Sequence, residues 1–82
     1  MENINTIIEI GSFSIKTIIY SNSENNPKIE GIGKSNTQGY NGNEINSFDE
    51  FIESIKKSLV QAEKQANLII KDCYLLLGNK SI

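Results

Sequence analysis

Two β-branched runs near the start of the chain, Thr6-Ile7-Ile8-Glu9-Ile10 and Ile15-Lys16-Thr17-Ile18-Ile19-Tyr20, constrain its fold more than any other feature. They read as two strands, over about 6–10 and 15–20, joined by a short turn at Gly11 and Ser12. Side chains alternate along a strand, so Ile15, Thr17 and Ile19 share one face of the second run and Lys16, Ile18 and Tyr20 the other. Both faces carry bulk, and both therefore need cover.

The rest of the chain supplies little of it. A third strand, over about 28–35, is interrupted by Gly31 and Gly33 and suits a sheet edge. The Asn- and Ser-rich segment from Ser21 to Pro27 reads as the surface hairpin loop before it. Ser47-Phe48-Asp49-Glu50 has the S-x-x-E form of a capping box. It opens a helix over about 48–66, whose apolar stripe is Phe48, Phe51, Ile52, Ile55, Leu59, Ala62 and Ala66 at spacings of three and four. Glu53, Lys56, Lys57, Glu63 and Lys64 fall mostly off the stripe, and Glu53 with Lys57 forms an i,i+4 pair on a solvated face. Asn67, tolerant of the left-handed conformation, is a plausible stop. A fourth strand follows at about 73–77, with Cys73 expected as an inert buried thiol.

The order is β-β-β-α-β, an α/β arrangement in one domain. Strands as apolar as Ile7 to Ile10 and Cys73 to Leu77 belong in the middle of a sheet covered on both faces, and one amphipathic helix covers only one. The exposed remainder would exceed the few hundred Å² usual for soluble monomers. These residues therefore read as a fragment or as the owner of an obligate partner. Below about 80 residues a single core seldom stabilises a fold by more than a few kcal/mol, which points the same way.

Composition removes several functions. A net charge of −2 with no basic run leaves no electrostatic footprint for nucleic acid. One cysteine and no histidine exclude a Cys/His zinc site, a His-based triad and an internal disulfide within these residues. No apolar stretch approaches the roughly 18 residues that span a bilayer, and the N-terminus lacks the pattern of a signal peptide, so a cytoplasmic location is expected. All eight basic residues are lysine, and the excess of Ile and Asn reflects codon drift rather than chemistry.

Two segments resemble phosphate-binding motifs. Gly31-Ile32-Gly33-Lys34-Ser35 looks like the end of a P-loop, but Lys28 stands where the first glycine is required, and Asn36-Thr37-Gln38-Gly39 follows where a helix should start. The first hairpin is more informative. Glu9 ends a strand, Gly11 and Ser12 make a turn whose N–H groups can face outward, and Lys16 lies just inside the next strand. Such a turn can hold a terminal phosphate, and the carboxylate can hold Mg²⁺ through water. An ordinary hairpin with a solvent-facing Glu has the same spacing. Tyr40, in the glycine-bearing loop before the helix, is either an interface anchor or a ring packed over its own loop.

Beyond these local patterns, nearly the whole chain resembles the N-terminal part of the FtsA family, the actin-like ATPases of bacterial cell division. Ile8-Glu9-Ile10-Gly11-Ser12-Phe13-Ser14-Ile15-Lys16 is similar to the family's first phosphate motif, (D/E)-I-G-(T/S) followed by a strand carrying Lys. Glu30-Gly31-Ile32-Gly33 is similar to its third strand, which removes the P-loop reading. Gln38-Gly39-Tyr40 stands where the family usually has Arg-Gly-Met. The segment Ser54 to Ala66 resembles its first helix, and Cys73-Tyr74-Leu75-Leu76-Leu77 its fourth strand.

The resemblance implies the opening part of an RNase H-like, actin-like ATPase domain (domain 1A), incomplete and ending near the family's inserted subdomain. It implies that Gly11, Ser12 and Phe13 offer backbone N–H groups to the phosphates of ATP, that Lys16 neutralises them, and that Glu9 takes the Mg²⁺-side carboxylate role through water. No catalytic residue is assigned. It further implies polymerisation of the full-length protein, FtsZ and other division proteins as partners, and attachment to the inner face of the cell membrane at the division site by a C-terminal helix absent from these residues. Two positions depart from the pattern: Glu9 replaces the commoner Asp, and Phe13 puts bulk into a turn that is usually small or polar.

The fragment alone is not expected to hydrolyse ATP. The alternative is a non-enzymatic interaction module, or another actin-like scaffold of the pilus-assembly type. A second D-x-G-x-(T/S) turn and a basic amphipathic helix downstream in the same reading frame would separate the first reading from the second. Because the sheet lacks a second cover, the isolated 82-residue chain is expected to aggregate or to form a molten state. NMR decides this, and sharp, dispersed amide signals from a monomer would contradict it.

Overall fold

The structure, a computed structural model, describes residues 3–23 and 26–77. Four strands, β1 (Asn3–Ile10), β2 (Ser14–Ser23), β3 (Asn26–Asn36) and β4 (Tyr74–Leu77), form one sheet in the order β3-β2-β1-β4, and one helix, α1 (Phe48–Ala66), precedes β4. Neighbours β1/β2 and β2/β3 are antiparallel, whereas β4 lies parallel to β1 with Ile10 opposite Leu77. A parallel neighbour needs a crossover, and α1 provides it.

The first two strands run well past the β-branched runs that nucleate them. Ser21 to Ser23 and Asn26 to Pro27, expected in a loop, are paired as strand, with Asn22 opposite Pro27; Glu24 and Asn25 lie outside the described residues. The ladder slips by one residue between Ile19 and Tyr20, where Gly31 faces Ile19 and Ile29 faces Tyr20. Glu30 is the extra residue of this bulge. Its carboxylate accepts a 2.7 Å hydrogen bond from the Ser21 hydroxyl, a group on the helix-covered side.

Both helix ends follow from local chemistry. Ser47 Oγ accepts from the Glu50 N–H, but the Ser47 N–H goes to the Gly39 carbonyl at 3.2 Å, so only half of the expected capping box forms. At the other end Asn67 adopts φ 59° and ψ 42°, the left-handed cap. The Asn67 and Leu68 N–H groups both close on the Glu63 carbonyl.

The face that α1 turns to the sheet is not centred on the large apolar stripe. Its buried residues are Phe51, Ser54, Ser58 and Ala62, flanked by half-buried Ile52, Ile55 and Leu59, while Phe48 is exposed. Small side chains are required there because the helix lies directly on Gly31 and Gly33 of β3. A Cβ at Gly33 would overlap the Ser58 carbonyl oxygen, and one at Gly31 the Ala62 carbonyl oxygen. The two glycines that mark β3 as a weak strand in the sequence are thus what lets the backbones approach. Polar contacts close the seam: Thr17 Oγ1 and Ser58 Oγ are 2.8 Å apart and buried, and Ser35 Oγ donates to the Ser54 carbonyl at 2.6 Å.

Beneath one end of the helix, Ile8, Ile10, Ile15 and Phe51 form the apolar core, with Tyr40 and Ile55 against it. Tyr40 and Phe51 lie 5.1 Å apart between ring centroids, so Tyr40 folds over its own loop onto the core. The opposite face of the sheet has no covering element among the described residues. Ile29, Ile32, Tyr74 and Leu76 lie on it, exposed by 42–69%. Strand β4, expected in the sheet interior, is an edge that α1 does not cover, and all four of its residues are exposed. Cys73 just before it is likewise exposed rather than buried, because no element packs over that end of the sheet.

Overpacking a tight seam destabilises by about 1–3 kcal/mol. Gly33→Ala is therefore expected to speed amide exchange in α1 and β3 by roughly tenfold or more, measured on the protein expressed from its complete natural reading frame. Lys28→Ala, on the exposed end of the same strand, should leave exchange unchanged.

Candidate functional site

The β1–β2 turn projects from the sheet end at which the parallel pair β1/β4 terminates. In open α/β sheets ligands gather beyond the carboxyl ends of parallel strands. A cleft of about 610 Å³ opens there, lined by Glu9, Gly11, Ser14, Lys16 and Lys34, with Leu76 and Leu77 of β4 as its apolar wall.

The turn itself is held at three points. The Gly11 N–H donates to the Ser14 carbonyl at 2.9 Å, which closes the hairpin. Thr37, just past β3, donates its hydroxyl to the Gly11 carbonyl at 2.8 Å and its N–H to the Phe13 carbonyl at 3.0 Å. The turn is thereby tied to β3 as well as to its own strands. The Gly11 N–H is already engaged, whereas the N–H groups of Ser12 and Phe13 have no protein partner among the described residues. Phe13 is 87% exposed and does not line the cleft. Its ring leaves the opening clear, so bulk at this position does not block the turn.

Three charged residues cross the sheet in one row. Glu9 of β1 stands opposite Lys16 of β2, which stands opposite Lys34 of β3. None of the three forms an ion pair among the described residues. Like charges directly opposite one another are destabilising, and Lys16 facing Lys34 is such a pair. An anion in the cleft would relieve it.

Of the residues the sequence singles out, the structure brings Glu9, Gly11 and Lys16 together in the cleft, whereas Ser12 and Phe13, in the same turn, do not line it. It adds two that sequence reasoning missed. Lys34 belongs to the rejected P-loop segment, and the signal for it is cross-strand register rather than motif. Thr37 has no sequence signal except its place just after a strand.

Among the described residues there is no group of three or more His, Cys, Asp or Glu side chains able to hold a metal ion. Glu9 is a single carboxylate. That suits Mg²⁺ carried in with a phosphate, since Mg²⁺ commonly keeps several waters and takes one or two protein carboxylates besides the phosphate oxygens. No helix of the described residues is long and apolar enough to cross a membrane.

Comparison with known proteins shows which proteins the chain resembles. The chain is 37% identical over 76 residues to the cell division protein FtsA of Buchnera aphidicola, and 34% identical over 70 residues to that of Staphylococcus epidermidis. These alignments take in 92% and 85% of the chain. Over most of its length the chain is similar to FtsA proteins, as an N-terminal piece of one would be. A further FtsA, from Enterococcus faecalis, is 28% identical over 64 residues. The chain spans only 18%, 15% and 14% of the lengths of these three relatives. No family model matches it.

Lys34→Glu would replace the opposed ammonium pair by an attractive one. It is expected to stabilise the β2–β3 ladder by a few tenths of a kcal/mol while weakening tripolyphosphate binding severalfold. Amide exchange and calorimetric titration of the protein expressed from its complete reading frame read the two effects separately.

Proposed function

We propose that this chain is the N-terminal part of an FtsA-type cell-division protein, and that its first hairpin forms one wall of an ATP site. In this reading the sheet and helix are the opening part of an RNase H-like, actin-like domain, residues 1–82, ending near the start of the family's inserted subdomain. Ser12 and Phe13 offer N–H groups to the phosphates, and Gly11 shapes the turn that presents them. Lys16 neutralises phosphate charge, joined by Lys34 across the ladder. Glu9 holds Mg²⁺ through water on the far side of the same row.

The observation that carries the reading is the charged row at the mouth of a braced turn, in a chain aligned over most of its length with FtsA proteins. A phosphate site needs convergent donors and cations at a strand end, and these residues supply both. ATP hydrolysis, if the complete protein performs it, requires groups beyond these residues. Self-association into filaments, tethering of the FtsZ ring, contact with other division proteins and a position at the inner membrane face of the division site rest on the similarity to FtsA proteins alone.

Calorimetric titration with Mg-ATP tests the site on the protein expressed from its complete natural reading frame. The parent protein is expected to bind. Lys16→Gln should weaken binding at least tenfold, since a hydrogen bond to a charged group contributes about 1.5–3 kcal/mol, and Glu9→Gln should reduce the dependence on Mg²⁺. Absence of ATP binding in the parent, or unchanged affinity in Lys16→Gln, would overturn the reading.

A further inference from the structure

A second concavity lies on the other side of β3, between that strand and the solvent face of α1, with a volume of about 690 Å³. It is separate from the nucleotide reading and shares only Lys34 with the first cleft. Four of the chain's eight lysines line it: Lys34, Lys56, Lys57 and Lys64. Among the described residues, Glu53 is its only carboxylate. None of the four ammonium groups has an ion-pair partner among the described residues, not even the i,i+4 neighbours Glu53 and Lys57. Lys34 turns its side chain to the other face of the sheet, beside Lys16, so the helix side chains set the charge: in a chain of net charge −2, a wall of net charge +2 (three Lys less one Glu) is a local inversion.

Three properties define what fits. From Glu53 to Lys64 the wall extends about 16 Å along the helix at a rise of ~1.5 Å per residue. That matches an extended segment of about five residues. Val60, 43% exposed, places an apolar foothold midway along this wall. Strand addition is closed off, because the outward N–H groups of Ile32 and Lys34 already donate to Gln65 Oε1 and Gln61 Oε1, both at 2.9 Å. A partner must therefore be held by its side chains. The groove is also concave, which favours a chain lying within it over a flat lipid surface.

We propose that the groove between β3 and α1 docks an extended acidic polypeptide segment, with carboxylates on Lys56, Lys57 and Lys64 of the helix and one aliphatic side chain on Val60. Glu53, with Asp49 and Glu50 beyond it toward the start of the helix, sets the acidic end of the groove. The partner's carboxylates therefore lie toward Lys64.

Fluorescence anisotropy of a short labelled peptide, glutamates around a central leucine, tests this on the protein expressed from its complete reading frame. Binding is expected to weaken as salt rises from about 0.05 to about 0.3 M. The double variant Lys56→Gln/Lys64→Gln should weaken it about tenfold, the sum of two exposed charge contacts. Val60→Ser should weaken it severalfold, and Lys28→Gln, outside the groove, should not change it. All these side chains are exposed, so amide exchange should confirm an unaltered fold. Equal affinity in the double variant, or equal loss in Lys28→Gln, would overturn the proposal. So would preferential binding to phosphatidylglycerol vesicles that the double variant abolishes, since the groove would then serve a lipid surface.

Discussion

The close approach of α1 to β3 is the contact on which the rest of the structure depends. Two glycines in the strand meet Ser58 and Ala62 in the helix at backbone distance, and this contact fixes where the helix can lie. Once it is seated there, Phe51 reaches Ile8, Ile10 and Ile15, and Thr17 finds Ser58. Gln38 and Ser35 join Ser54 in the same seam: the Gln38 N–H donates to Ser54 Oγ at 2.8 Å, and Ser54 Oγ donates to the Glu50 carbonyl at 2.9 Å. Each buried hydroxyl of the helix face is thus bonded, as burial of polar groups requires. Among buried side-chain polar atoms of the described residues, only Thr6 Oγ1 lacks a partner.

Seating the helix over β2 and β3 leaves the other half of the sheet with less cover. Strands β1 and β4 end together at the cleft, and β4 contributes leucines to its wall while remaining exposed. The candidate site therefore combines a braced part, the hairpin tied down by Thr37, with an apolar wall that nothing covers among the described residues. Preorganised donors on a fixed turn are what a phosphate site needs. The short length of the chain relative to its FtsA relatives accords with so much uncovered apolar surface.

Much of this was legible in the sequence, for definite reasons. The β-branched runs, the helix with its serine cap and Asn67 stop, and the place of β3 at an edge all follow from local preferences. The hairpin at Gly11 was readable because turn, carboxylate and lysine lie within a few residues of one another. What escaped was set by register and by contact between distant segments. Lys34 faces Lys16 only because of the β2–β3 pairing, and the helix face is centred on serines only because glycines lie opposite. The apolar neighbours of Cys73 predict a buried thiol, yet those neighbours form an outer strand. A strand's composition does not reveal its rank within a sheet.

The glutamines on α1 carry a consequence for how this sheet can grow. By occupying the outward amides of Ile32 and Lys34, Gln61 and Gln65 act as a selvedge, finishing that stretch of one margin of the fabric against a further thread. The opposite margin, at β4, has no such hem among the described residues. Over that stretch an added strand, whether from further along the same polypeptide or from another molecule, is steered to the β4 side, and the sheet acquires a direction of extension from two side chains one helical turn apart.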